Sequence, residues 1–166
     1  MKRYKKYSLV EDYLLENQAS LYRLAYSYVR NKDDALDILQ ESLYKSLNSI
    51  NTLHNPRDIK PWLYRIIINT ALDFLRKNKK LSLVDEGVLE LHCNPQEDTY
   101  KNFDLQEALD HLSPTYKTII ILRFFEDLTL EDIANILDEN INTIKTRLYT
   151  ALKKLRVEME DSYYEG

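Results

Sequence analysis

One cysteine, two glycines and four prolines are all that 166 residues contain. Cys93 alone cannot close a disulfide within the chain, and a reducing cytoplasm is its natural setting. So little glycine and proline leaves few tight turns, which argues against strand-and-turn architectures and for an all-helical chain. No apolar run approaches the length of a membrane span. The basic N-terminus, MKRYKKYS, is not followed by an uninterrupted apolar segment, so it does not read as a signal peptide. Gly-rich phosphate loops and Ser or Cys nucleophile motifs are missing, so no enzymatic activity is expected. His54, His92 and His111 are scattered, and His92 adjoins Cys93 instead of sitting at metal-ligand spacing. Neither a metal nor a cofactor is therefore expected.

Charge is present but segregated. The net value of −4 conceals +4 over residues 1–8, −3 over 9–53, +5 over 54–80 and −5 over 81–104. Residues 105–140 then carry −6, 141–157 carry +5 and 158–166 carry −4. Within the last basic island, NTIKTRLYTALKKL (residues 142–155) has no acid at all. Basic islands at 54–80 and 141–157, separated by acidic material, point to two contacts with a polyanion.

Helical periodicity runs through nearly all of the chain. SLVE at residues 8–11 has capping-box spacing, and a helix is expected from there to about Val29. NKDD at 31–34 opens a second helix, with Ala35, Leu39, Leu43, Leu47 and Ile50 along one side and Asp37, Gln40, Glu41 and Tyr44 along the other. After the loop LHNPRD, a third helix is expected from about Ile59 to Lys77. Its run WLYRIIINTALDFL is apolar all round, as suits the central helix of a domain. Periodicity fades over residues 81–104, where six acids accompany one lysine, Gly87 and Pro95, so this segment reads as a flexible acidic linker. The expected organisation is all-α: a small domain at 1–80, the linker at 81–104, and a second small domain at 105–166.

In the second domain LQEALDHL gives a short helix, and Ser113-Pro114 starts the next with proline in its first turn. Thr129 and Asp132 form a capping pair for a short helix with Leu130, Ile133, Ala134 and Leu137 on one face. A tight turn, with Asn140 as cap, leads into a basic helix, which is the helix-turn-helix pattern. On that last helix Ile144, Leu148, Ala151, Leu152 and Leu155 share the inner side. Lys145, Thr146, Tyr149, Thr150 and Lys153 share the outer side. Cations mixed with hydroxyls suit a major groove: lysine reaches phosphates or guanine edges, and threonine bonds bases or touches thymine methyls. Arg147 and Lys154 flank this face as phosphate ligands.

These motifs together resemble the extracytoplasmic-function sigma factors of the sigma-70 family. LSPTYKTIIILRFFEDLTLEDIANIL (112–137) is similar to that family's Leu-x-Pro start, Leu-Arg pair and Glu-x-Ile-Ala helix. NTIKTRLYTALKKLR (142–156) is similar to its Gly-Thr-Val-Lys-Ser-Arg-Leu recognition helix. DDALDILQESLYKSL (33–47) resembles the polymerase-binding helix, and PWLYRIIINTALDFLRK (61–77) resembles its Trp-Leu-Tyr-Arg-Ile-Ala-x-Asn-x-x-x-Asp-x-x-Arg helix. The chain departs at Asn142, where glycine is usual, and at Thr150, where arginine is common, so an upstream sequence preference does not transfer.

The resemblance implies an alternative sigma factor that directs core RNA polymerase to stress-response promoters. The region 2 domain would bind the β′ clamp helices through Asp37, Gln40, Glu41 and Tyr44, with Leu39 and Leu43 partly buried behind them. It would read the promoter's minus-ten element through Asn55, Arg57, Asp58, Trp62, Arg65, Asn69, Asp73, Arg76 and Lys77. A flipped base costs a few kcal/mol, which a fitted loop such as 53–59 recovers. Trp62 either stacks a base, worth about 1–3 kcal/mol, or belongs to the core, where helix aromatics are more common. The region 4 domain would read the minus-thirty-five element through Asn142, Thr143, Lys145, Thr146, Arg147, Tyr149, Thr150 and Lys153. The implied partners are core RNA polymerase, promoter DNA and a membrane-anchored anti-sigma factor, with no small-molecule ligand. The protein would then be cytoplasmic, or held at the inner face of the membrane. The acidic linker either imitates nucleic acid on the polymerase or is simply solvated. The rival reading is a helix-turn-helix regulator whose first domain senses a ligand or dimerises, for which a pocket would be needed instead of an acidic face.

Overall fold

The computed structural model describes residues 2–84 and 103–165. These residues are helical, with no strand among them, and they form two compact units. The first is built from α1 (Arg3–Glu16), α2 (Gln18–Val29), α3 (Lys32–Asn48) and α4 (Ile59–Val84). The second is built from α5 (Phe103–His111), α6 (Pro114–Ile120), α7 (Leu130–Leu137) and α8 (Ile141–Glu165).

In the first unit, the single helix expected between Ser8 and Val29 is two helices. α1 starts five residues before Ser8, with no side-chain cap, so the expected capping box is absent. It stops because Asn17 leaves helical geometry and its Nδ2 donates to the Tyr13 carbonyl at 2.9 Å. α2 then ends on Arg30 in the left-handed region (φ 48), and Asn31 caps α3 by accepting from the Asp34 amide at 2.9 Å.

α2 and α3 pack along each other, burying Leu21, Leu24, Ala25 and Tyr28 from one and Ala35, Ile38, Ser42 and Ser46 from the other. This corrects the expected inner face of α3. Leu36, Leu43 and Leu47 are 45%, 40% and 37% exposed, whereas two serines are buried. The serines are tolerated because each hydroxyl donates to a carbonyl of its own helix, Ser42 to Ile38 at 2.6 Å and Ser46 to Leu43 at 2.7 Å. Small side chains then let α2 come close, and the leucines are turned outward.

A second cluster locks α1 to the loop before α4. Val10, Ile50, Leu53 and Ile59 are buried together, with Tyr7, Leu9, Tyr13, Leu14 and Trp62 packed against them. Between the helices lie two single 3-10 turns, Ile50–Thr52 and Pro56–Asp58. α4 is the 26-residue spine of this unit and buries Leu63, Tyr64, Ile67, Ile68 and Ala71. It continues to Val84, into the segment expected to be linker. α5 likewise takes in Phe103 and Asp104 at the other end of that segment, and residues 85–102, with Gly87, His92, Cys93 and Pro95, lie outside the described residues.

The second unit has its core at Ala108 and Leu109 of α5, Leu112 just after it, Ile120 of α6, and Ala151 and Leu155 of α8. Leu105, Tyr116 and Leu148 pack against it. Proline stands in the first turn of α6, as expected, and the helix runs on through a wider π turn, Ile121–Phe125, before reversing at Asp127 (φ 52). Lys117 is buried on α6 and pairs with Asp110 at 3.0 Å, so its charge is compensated. α7 opens with a complete capping box: Asp132 N–H donates to Thr129 Oγ1 at 3.1 Å, and Thr129 N–H donates to Asp132 Oδ2 at 3.2 Å. Asp138, left-handed at φ 55, ends it, and the Asn142 amide donates to Asn140 Oδ1 at 2.8 Å as α8 begins.

Candidate nucleic-acid interface

Three outward-facing constellations follow from this packing. On α3, turning Ala35, Ile38, Ser42 and Ser46 inward leaves Asp37, Gln40, Glu41 and Tyr44 exposed. Leu36, Leu43 and Leu47 share that solvent side, so the face is apolar as well as acidic. Leu39 is half-buried behind it. An acidic rim around leucines is the composition of a protein-docking surface, because the leucines contribute area and the carboxylates select a basic partner.

On the loop and α4, Asn55, Arg57 and Asp58 are exposed. The loop is held in shape by Asn55, whose Oδ1 accepts from the Arg57 amide at 3.0 Å while its carbonyl accepts from the Asp58 amide at 3.0 Å. Trp62 is half-buried against the Val10, Ile50, Leu53 and Ile59 cluster, and its Nε1–H donates to Thr52 Oγ1 at 2.8 Å. Further along the helix Arg65, Asn69, Arg76 and Lys77 are exposed. Asp73 is partly covered and pairs with Arg76 at 2.6 Å, and it lies 4.0 Å from Lys45. Asp73 therefore restrains two cations here.

Between α3 and α4 is a groove of about 380 Å³ lined by Lys45, Asn48, Ser49, Ile66, Asn69 and Thr70. Asn69 was expected at a binding site, whereas Lys45 and Asn48 were not. The Lys45 Nζ donates to Thr70 Oγ1 at 3.3 Å and pairs with Glu41 at 3.4 Å. The four-residue spacing from Glu41 is the one local signal for Lys45, and it marks a surface pair instead of a groove. Both side chains are well exposed, so that pair contributes less than about 1 kcal/mol.

On α8, Ile144, Ala151 and Leu155 are buried and Leu148 is half-buried, as expected of the inner face. Leu152 is not: it is 39% exposed, at the margin of the packed side. The outer face presents Asn142, Lys145, Thr146, Tyr149 and Lys153, with Tyr149 77% exposed and Thr143 and Thr150 half-buried at the edges. Thr146 donates to the Asn142 carbonyl at 3.0 Å, which fixes its rotamer. Arg147 pairs with Glu139 of the preceding turn at 3.2 Å, and Lys154 lies over the Tyr116 ring at 5.1 Å. These two flanking cations thus have partners within the unit.

Behind the outer face, His111 of α5 and Glu158 of α8 join at 2.9 Å. Donation of a hydrogen bond to the Glu158 carboxylate raises the His111 pKa, and the charges of Glu158, Glu107 and Asp110 add to it. Among the described residues no group of His, Cys, Asp and Glu is placed to hold a metal, and no helix is long and apolar enough to cross a membrane.

A helical unit with an acidic, leucine-bearing face beside a cationic helix, and a second unit ending in a basic helix-turn-helix, are the features of a DNA-binding protein of transcription. The family profile for Sigma-70 region 2 matches residues 14–81, and that for Sigma-70, region 4 matches residues 102–155. The chain belongs to the sigma-70 family of RNA polymerase sigma factors, in its extracytoplasmic-function group. It is 56% identical over 146 residues to RNA polymerase sigma factor SigV of Bacillus subtilis (strain 168), covering 88% of each chain. It is 28% identical over 162 residues to the same organism's ECF RNA polymerase sigma factor SigW, covering 85% of this chain and 83% of that one. The sigma factor RpoE of Bartonella quintana, solved in complex with the anti-sigma factor NepR, superposes with a TM-score of 0.70 at 26% identity, over 90% of this chain and 96% of that one. CnrH, solved with the cytosolic domain of CnrY, shares the fold at a TM-score of 0.67 and 16% identity, over 96% and 97%. Sigma factors are not a class of enzyme.

Proposed function

We propose that this sigma factor divides its work among the three faces. The α3 face, through Asp37, Gln40, Glu41 and Tyr44, docks on the clamp helices of core RNA polymerase. The loop at 53–59 and the exposed side of α4 hold the minus-ten element, with Asn55, Arg57 and Asp58 around an unstacked base, Asn69 at the α3–α4 groove, and Arg65, Arg76 and Lys77 along the strand. Trp62 supports the loop from within, and Asp73 positions Arg76 and Lys45. The outer face of α8 enters the major groove of the minus-thirty-five element with Asn142, Thr143, Lys145, Thr146, Tyr149, Thr150 and Lys153, while Arg147 steadies the turn through Glu139.

The observation that carries this reading is the distribution of charge on the packed structure. Acids with leucines line the face turned out by α3, and cations with hydroxyls line α8. A chain of net charge −4 gains little from non-specific attraction to DNA, so two modest sites become effective when polymerase holds them together. The domains then act as modules at residues 1–80 and 105–166, the polymerase supplies the chemistry, and the protein itself catalyses nothing. Control by an anti-sigma factor fits the neighbour RpoE, solved with the anti-sigma factor NepR, while stress-response promoters and a hold at the membrane surface follow from the family resemblance alone. Run-off transcription with purified core polymerase on genomic fragments tests it. Defined start sites that depend on the added chain are expected, and their absence would overturn the reading.

A further inference from the structure

The minus-ten reading leaves one strongly charged patch unused, and this inference rests on that reading. Lys2, Arg3, Lys5 and Lys6 crowd the beginning of α1, where no acid stands in the first turn and no side chain caps the helix. None of the four forms an ion pair among the described residues. By contrast Lys45, Arg76, Lys117, Arg147 and Arg156 all have acidic partners. The positive end of the helix dipole makes this a poor place for cations, so the arrangement works against the fold.

The patch has a fixed position. The Arg3 guanidinium lies 5.6 Å from the centre of the Tyr7 ring and donates to the Tyr7 hydroxyl at 3.2 Å. Tyr7 in turn packs on the cluster of Val10, Ile50, Leu53 and Ile59, whose last two members bracket the exposed loop of Asn55, Arg57 and Asp58. The cationic turns of α1 therefore stand beside the loop that reads the minus-ten strand.

We infer that Lys2, Arg3, Lys5 and Lys6 form an additional promoter contact, which grips the DNA phosphates flanking the captured base without reading sequence. Lysines on a helix can approach phosphates from many rotamers, whereas Arg3, oriented by Tyr7, supplies the fixed contact. The free energy lost by placing these charges at a helix start is recovered when phosphates neutralise them.

The test uses the full chain bound to core polymerase and a labelled promoter fragment recovered by run-off transcription. The variant K2Q/R3Q/K5Q/K6Q keeps helix propensity and removes the charge. It should bind the fragment about ten- to a hundredfold more weakly at low salt, and its plot of log affinity against log salt should be shallower. Four phosphates no longer neutralised correspond to a slope change of about 2.8 on a single strand and about 3.6 on duplex. Promoter preference and affinity for core polymerase should be unchanged, and the variant should melt at the same temperature or higher. An unchanged slope, alongside weakened binding by Arg57→Ala and Asn69→Ala, would overturn the α1 contact and leave the minus-ten reading standing. If neither set of substitutions altered binding, the reading and the inference would fall together. Loss of core-polymerase affinity would reassign the patch to the polymerase. An unchanged DNA slope with lost binding to phosphatidylglycerol vesicles would reassign it to membrane.

Discussion

Replacing Trp62 with alanine separates two roles that a tryptophan beside a DNA-reading loop can have. In the structure its ring packs on Val10, Ile50, Leu53 and Ile59, and its indole N–H is bonded to Thr52. Full burial would make the truncation cost about 3–5 kcal/mol. Because the ring is only half-buried, about 2 kcal/mol is expected, and removal of the bond to Thr52 adds up to about 1 kcal/mol. For a unit of this size that lowers the melting midpoint by roughly 10–15 °C. Trp62→Phe retains most of the apolar packing and should lose only about 1 kcal/mol, and Thr52→Val, which removes both the acceptor for Trp62 and the Thr52 hydroxyl's own bond to the Ser49 carbonyl at 2.6 Å, should lose about 1–2 kcal/mol. Circular dichroism in a urea series gives the stabilities. Trp62 is the chain's one tryptophan, so wild-type indole fluorescence follows the same cluster directly. A Trp62→Ala chain that unfolds like the wild type, yet loses about 1–3 kcal/mol of single-strand binding, would show the ring to be a base-stacking platform and refute the packing argument.

Other perturbations have equally definite outcomes. Thr129→Ala removes half of the α7 capping box and should destabilise the helix-turn-helix unit by about 1 kcal/mol, seen as earlier loss of helical signal on heating. Lys145→Ala with Lys153→Ala should leave stability unchanged and reduce the salt slope of minus-thirty-five binding by about 0.9 for each lysine removed; an unchanged slope would place α8 off the DNA. His111 has a raised folded pKa, so its bond to Glu158 stabilises the α5–α8 packing fully below the unfolded value near 6.5 and fades as pH rises through the folded value. His111→Gln should therefore be the less stable chain at pH 6 and converge on the wild type in alkaline solution, measured by thermal melts across pH.

Much of this architecture was legible in the residues. Helix starts are local chemistry, so the caps Asn31 before α3 and Thr129 with Asp132 before α7, and Pro114 in the first turn of α6, could be read directly. The outer face of α8 was legible because its apolar and cationic residues alternate at helical spacing along one uninterrupted helix. What escaped depended on tertiary partners. At the break, both the side-chain amide and the backbone N–H of Asn17 donate back to the Tyr13 carbonyl, and no glycine or proline announces it. α3 has leucines on the wrong side for a simple amphipathic reading, because close packing against α2 selects Ala35, Ser42 and Ser46 instead. The groove containing Lys45 and Asn69 requires two helices whose facing residues are 24 positions apart in sequence, a relation no local pattern carries.

The division of labour itself is tested most directly by charge reversal on α3. Purified chains carrying Asp37→Arg and Glu41→Arg, both at exposed positions, should fold and melt normally. They should fail to co-elute with core polymerase and give no run-off transcript from any promoter that the wild type uses. Transcripts of wild-type strength from that double variant would contradict the account.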